Sequence, residues 1–283
     1  MSFIIHCNSI RSVKTVYVIR NRILFTIMVL TGGLFAQESE TPDLLQLYNS
    51  VISTYKIPYC CGSTIQECVE KKPDCSIARR LKTFTFWMVD HTPPPTVEKM
   101  REELDNRYNG FTTTATATID TNRLARIGNP KAPVTLIAYA SATCPLCKRV
   151  VGELIDSVKF GCLRNRAQLL VKPFGTNFGN CALYAAQDDG NFWKLFKALK
   201  ERKGVIKEEK VILAFADSLG IVTDGFKKRF KDPRTQQWLI AAKEEGSRNG
   251  VKYIPTFFIN GKRYRSYKDP QWVCDAVLFE LEK

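Results

Sequence analysis

The stretch "VTLIAYASATCPLCKRVV", residues 134–151, decides how this chain is read. It opens on a nearly continuous apolar run, Val134 to Ala140, the pattern of a strand buried on both faces of a sheet. Two residues separate Cys144 from Cys147, and beyond them the apolar positions recur at helical spacing. A strand that becomes a helix at a CxxC puts the first cysteine at the helix N-terminus. Unpaired backbone amides and the positive end of the helix dipole face its sulfur there. Both favour the thiolate and lower its pKa below the reference of about 8.5. Cys144 is therefore the candidate nucleophile. Cys147, one turn further in, is the residue that resolves a mixed disulfide. Pro145 suits the first helical turn, where its missing N–H costs nothing.

Other uses of the pair fit less well. A zinc site needs a second CxxC or His and Cys pairs at matching spacing. The chain has only His6 and His91 and no second CxxC, so no metal and no cofactor is expected. A CxxC disulfide also closes too small a loop to serve as a structural staple. No phosphate loop, CxxCH haem attachment or catalytic triad pattern points to another class of enzyme.

A second signal lies more than a hundred residues downstream. "KYIPTFFING", residues 252–261, places Pro255 directly before a strand. An ordinary strand-initial proline is the plain alternative. Paired with the CxxC, it reads as the cis-proline that faces the cysteines in a thioredoxin fold, leaving the backbone of Ile254 free to pair with a substrate strand. Pro145, Leu146, Ile254, Pro255 and Thr256 are the expected substrate-binding residues. The elements between agree. "AQLLVKPF" is a second strand, residues 180 to 250 are a long helical stretch, "KRYRS" follows "PTFFING" as a hairpin partner, and "PQWVCDAVLFELEK" closes with a helix. An edge strand is expected near Ala117 to Asp120. The fold class is α/β: a thioredoxin fold over residues 119–283, with a helical insertion at about 180–250.

Over that span "IGNPKAPVTLIAYASATCPLC", "AAQDDGNFWKLFKAL" and "GVKYIPTFFINGKRY" resemble the DsbA-like disulfide oxidoreductases of the bacterial envelope. The resemblance implies that Cys144 attacks, Cys147 resolves and Pro255 is the cis-proline. The chain departs from the family in two places. Many relatives carry a buried acid on the strand before CxxC, where Ala138 stands here, and the dipeptide is Pro-Leu and not Pro-His. Oxidase, isomerase and reductase directions all stay open.

Residues 37–110 read as a small all-α, cysteine-rich domain, joined by a linker at 111–118. "PDLLQLYNSVIS" is a helix with Thr41 as N-cap and Pro42 at its first position. "SIARRLKTFTFWMV" is opened by Ser76, and a further helix restarts at Thr96 after three prolines. Cys60, Cys61, Cys68 and Cys75 fall here. Two structural disulfides in a domain short of core, or a second redox site, are the alternatives. Adjacent cysteines strain the peptide link between them, so cross-pairing of Cys60 and Cys61 with Cys68 and Cys75 is expected. "YCCGSTIQECVEKKPDCSIARRLKTF" with "VEKMREELDNRYNG" distantly resembles the CcmH-like thiol domain of cytochrome c maturation proteins. Of the remaining cysteines, Cys162 pairs with Cys274 or Cys181, or all three are buried thiols.

Arg20 to Arg22, the apolar run Ile23 to Leu30 continuing through Thr31-Gly32-Gly33 to Leu34-Phe35-Ala36, and the polar "QESETPD" after it make a secretory signal over residues 1–36, with cleavage expected after Ala36. A retained anchor is the alternative. The expected location is the periplasm or outside the cell. The formal charge of +14 includes Arg11, Lys14, Arg20 and Arg22 of this leader, which leaves +10 for the rest. That charge is dispersed and not interleaved with aromatics, so a solvated basic surface and no nucleic-acid partner are expected. Protein cysteines are the expected substrates, with a membrane or soluble redox partner to recycle the site. The competing function is a binding module for unfolded or apocytochrome c chains with secondary redox activity.

Overall fold

The computed structural model describes residues 43–57, 61–91, 93–108 and 115–282. Its centre is a five-stranded sheet with strands β1 (Ala125–Gly128), β2 (Val134–Ala140), β3 (Ala167–Pro173), β4 (Thr256–Ile259) and β5 (Lys262–Arg263). Their order across the sheet is β1-β3-β2-β4-β5. β2 and β3 run parallel with Ala138 opposite Val171, while β1 and β4 pair antiparallel to β3 and β2 respectively. β2 and β3 are buried along nearly their whole length, as their apolar runs require.

The β2-to-β3 crossover carries α5 (Pro145–Lys159). Between β3 and β4 come α6 (Phe178–Gln187), α7 (Phe192–Glu201), α8 (Glu209–Ser218), α9 (Asp224–Lys231) and α10 (Pro233–Arg248). This is the expected helical insertion. α11 (Pro270–Leu281) closes the fold. The main core gathers Leu136, Ala138 and Ala140 of the sheet with Cys147, Val150 and Leu154 of α5 and Val273 and Val277 of α11. On the other sheet face Tyr139 and Lys172 stand side by side in register. There Glu245 of α10 receives Tyr139 Oη at 2.7 Å and Lys172 Nζ at 2.6 Å.

The expected edge strand at Ala117 to Asp120 is not one. The first strand lies at Ala125–Gly128, and Ala117 makes a single backbone bond to the Gly261 carbonyl at the β4–β5 turn. β1 packs closely on β3: at Gly128, with φ of +95°, a Cβ would run into Val158 and the Ala167 carbonyl. The end of β1 therefore accepts only glycine against β3.

N-terminal to the sheet lie α1 (Leu44–Ile52), α2 (Ile65–Lys71), α3 (Ser76–Val89) and α4 (Val97–Tyr108). α1 is capped by Asp43, whose Oδ1 accepts from the amides of Leu45 and Gln46. Thr41 and Pro42, the expected cap and first helical position, lie outside the described residues, and the described helix opens at Leu44 under Asp43. α2, seven residues under a Thr64 cap, has no counterpart in the sequence reading. Helix α3 does start at Ser76, and Cys75 is its N-cap residue. These helices share a core with α11, because Trp272 and Phe279 pack among Val51, Leu81, Phe84 and Leu104. At its centre Arg107 is fully buried. Its guanidinium lies 4.4 Å from the Phe84 ring centroid and 4.7 Å from that of Trp272, and donates to Asp275 Oδ2 at 2.7 Å. Arg80 holds the other oxygen of Asp275 at 2.8 Å. Burial works against the charge on Arg107, and Asp275 answers it.

No helix among the described residues is long and apolar enough to cross a membrane. The leader at residues 1–36 lies outside the described residues, and so does Cys60.

Candidate active site

Cys144 is the N-cap residue of α5, in extended backbone conformation, with Pro145 at the first helical position. Its Sγ lies 3.1 Å from the Cys147 amide, which donates to it across the first turn. Cys144 and Cys147 are joined in a disulfide with Cα atoms 5.2 Å apart. Cys144 is partly exposed, whereas Cys147 is fully buried against the main core. Reach from solvent therefore belongs to one sulfur of the pair.

The turn that delivers Cys144 is pinned from α6. Asn180, itself buried, accepts from the Ala142 amide at 2.9 Å and donates to the Gly175 carbonyl at 2.9 Å. Asn177 caps α6 and also donates to Ser141 Oγ at 2.9 Å. Gly179 allows this approach, since a Cβ there would sit 2.8 Å from the Cβ of Ala142.

The loop before β4 closes the site. The Ile254–Pro255 bond is cis, and the Ile254 carbonyl oxygen lies 3.9 Å from Cys144 Sγ. Pro145 and Leu146 are exposed, Ile254 is half-buried, and Pro255 and Thr256 are buried. Thr256 Oγ1 donates to the Tyr253 carbonyl at 2.5 Å. Tyr253 is 78% exposed beside this loop, and Leu146 is 41% exposed on the CxxC itself. Sequence reading did not single out Tyr253. It carries no pattern, because its exposure follows from a loop.

Also missed was Lys148, directly after Cys147. It is buried, and its ammonium donates to the carbonyls of Gly204 at 3.2 Å and Arg202 at 3.5 Å. A lysine on an amphipathic helix reads as a solvent residue, and only the fold reveals that α7 covers it.

The other cysteines divide into two groups. Cys61 and Cys68 form a disulfide with Cα atoms 5.6 Å apart. Cys75 is also disulfide-bonded. Cys181 and Cys274 are free thiols, which rules out the Cys162–Cys274 and Cys162–Cys181 bonds offered as alternatives. Both lie in the main core, on different helices: Cys181 on α6 receives Gln236 Nε2 at 2.8 Å, and Cys274 is buried in α11. Burial pushes the Cys181 thiol pKa up, an effect the Gln236 bond only partly offsets. Among the described residues no three His, Cys, Asp or Glu side chains come together as metal ligands.

A CxxC disulfide at a helix N-terminus, on a β-α-β sheet and facing a cis-proline loop, defines a class by its fold: the thioredoxin-type proteins, here with a helical insertion between β3 and β4. A family model described as "Thioredoxin" matches residues 120–276, more than half of the chain, and the chain belongs to that family. It is similar to the Na(+)/H(+) antiporter NhaA 3 of Salinispora tropica, 28% identical over 166 residues, which are 56% of this chain and 25% of that protein. It is also similar to the Na(+)/H(+) antiporter NhaA 1 of Salinispora arenicola, 28% identical over 164 residues, with the same shares covered. The chain thus spans about a quarter of the length of the curated relatives it matches. Among solved structures it is similar to a thioredoxin-like oxidoreductase from Silicibacter pomeroyi, with 20% identity and a TM-score of 0.49 over 57% of this chain and 94% of the other. For BdbD from Bacillus subtilis the identity is 16% and the TM-score 0.47, over 60% and 98%.

Proposed function

We propose that this protein exchanges disulfides with cysteines of other proteins, in the periplasm or outside the cell, through Cys144 and Cys147. The observation that carries the reading is the placement of the pair: one sulfur partly exposed at the N-terminus of α5, the other buried, with the Ile254 carbonyl 3.9 Å from the outer one. In the oxidising direction a substrate thiolate attacks Cys144 Sγ. The Cys144–Cys147 bond breaks, a mixed disulfide forms, and the electron pair leaves on Cys147 as a thiolate. A second substrate thiolate then attacks the substrate sulfur of that bond. The substrate gains a disulfide, Cys144 departs as thiolate, and the pair is left two electrons richer. The amide of Cys147 and the end of α5 stabilise the departing thiolate. A membrane or soluble redox partner takes those electrons and restores the disulfide. Run backwards, the same steps reduce a substrate.

The ends of the substrate peptide are held by what flanks the sulfur: Pro145 and Leu146 on one side, Ile254 with Pro255 and Thr256 on the other. Equilibrating the purified protein in redox buffers tests the reading. The Cys144–Cys147 couple should titrate as a two-electron pair, near about −120 mV for an oxidase or about −270 mV for a reductase. A pair that never exchanges with a cysteine-containing protein ends the proposal.

A further inference from the structure

The first turns of α5 and the end of α7 enclose a pocket of about 280 Å³, lined by Pro145, Lys148, Arg149, Lys200, Arg202 and Gly204. Four of these six residues are cationic and none is acidic. The cations are held in place. Lys148 is fixed by the Gly204 and Arg202 carbonyls. Lys200 runs its aliphatic stem across Gly152, where a Cβ would collide with it. Arg202 lies 5.7 Å from the Phe215 ring centroid and donates to the Lys203 carbonyl.

Their counter-charge is thin. Arg149 alone has carboxylates in reach, Glu153 and Asp269, each at 3.9 Å and each partly exposed. Among the described residues no carboxylate forms an ion pair with Lys148, Lys200 or Arg202. Burial first, and then the nearby Arg202, push the Lys148 pKa below the ordinary lysine value. The second of these is repulsion between neighbouring cations. A carboxylate entering the pocket would relieve it.

We propose that this pocket takes an acidic side chain of the protein substrate, next to the cysteine that becomes bonded to Cys144. The inference rests on the oxidoreductase reading above. Pro145 lines the pocket and follows Cys144 directly, so whatever is joined to Cys144 Sγ carries its flanking residues past the opening. Once the mixed disulfide has formed, a flanking Asp or Glu meets the cations as an intramolecular partner, at high effective concentration. The cations converge on a volume fit for a carboxylate or two. They do not spread into the long basic groove with stacking aromatics that a nucleic acid uses.

The test compares two disulfide-linked peptides that differ only in Glu or Gln beside the cysteine. Rates of exchange with the reduced protein are measured at low and high salt, with and without inorganic phosphate. The Glu peptide should react about fivefold faster at low salt, the size expected of a partly desolvated charge contact, and the gap should close in about 0.5 M salt. In Lys200→Gln and in Arg202→Gln the Glu-to-Gln ratio should fall toward one. The salt dependence in the unaltered protein keeps the test open should either variant fold poorly. Equal rates for the two peptides, or an unchanged ratio in both variants, overturn the proposal. Phosphate inhibition without any peptide preference does so as well, by assigning the pocket to a free anion. Exchange without charge preference leaves the oxidoreductase reading intact, whereas no exchange with either peptide removes both.

Discussion

Cys61–Cys68 and Cys144–Cys147 span nearly the same gap, 5.6 and 5.2 Å between Cα atoms, and each joins residues close in sequence. In both, one sulfur belongs to a buried cysteine and the other to a partly exposed one. The difference lies around the bond. Cys68 sits inside α2, among apolar side chains that also pack on α3 and α11. Cys144 is an N-cap, with the Cys147 amide aimed at its sulfur and four cations lining the pocket beside Pro145. A leaving thiolate is stabilised in the second setting and not in the first. Under the proposed function, surroundings more than bond geometry separate a staple from an exchanging disulfide.

The comparison is most sharply broken at the working pair. Cys144→Ser should lower disulfide exchange by on the order of a thousandfold or more, as loss of a nucleophile does. Cys147→Ser should instead accumulate a mixed disulfide between Cys144 and substrate, visible on a non-reducing gel. Wild-type turnover by Cys147→Ser would refute the division of roles.

Next comes the anchor of the stapled region. Asp275→Asn leaves Arg107 buried without a carboxylate, and should cost about 3 kcal/mol in urea unfolding. A loss below that caused by removing the Cys61–Cys68 disulfide would mean that sulfur, not charge, holds these helices to α11.

Replacing both Cys61 and Cys68 by Ala should cost about 2 kcal/mol, the loop-entropy value for so short a closure. Its exchange activity should stay at the wild-type level. Activity that drops with this pair would make it a second redox site. Peptide mapping should recover Cys61 linked to Cys68, and the cross-pairing expected from the sequence then leaves Cys75 for Cys60.

The smallest effect belongs to a sulfur of neither kind. Burial raises the Cys181 pKa above that of the unfolded thiol. Its share of stability should therefore be intact below the ordinary thiol pKa of about 8.5 and be lost as pH climbs from there through the raised folded value. Cys181→Ala should flatten the stability profile in that alkaline window and leave the neutral range unaltered in slope. Alkylation of Cys181 in the folded protein should lag far behind that of reduced Cys144.

Much of the sheet and of the placement of the CxxC and the cis-proline was legible because their signals are local. The apolar runs of β2 and β3, the CxxC and the proline before β4 each fit within ten residues. What was not legible depends on distance. Arg107 and Asp275 meet across most of the chain, and nothing in "LDNRY" distinguishes a buried arginine from a solvated one. "LKERK" reads as a solvated basic run, yet it delivers Lys200 and Arg202 to the flank of α5. The edge strand was misplaced because β1 has only four residues, of which "ARIG" buries just the first fully.

The sharing of α11 between two cores ties the first helices of the chain to its last one. A chain made from its N-terminus has α1 to α4 in hand long before Trp272, Asp275 and Phe279 exist. Without those residues Arg107 has neither its Asp275 carboxylate nor the Trp272 and Phe279 rings beside it. This half of the molecule is thus held by contacts of high sequence separation, the kind whose loop-closure cost slows folding in general.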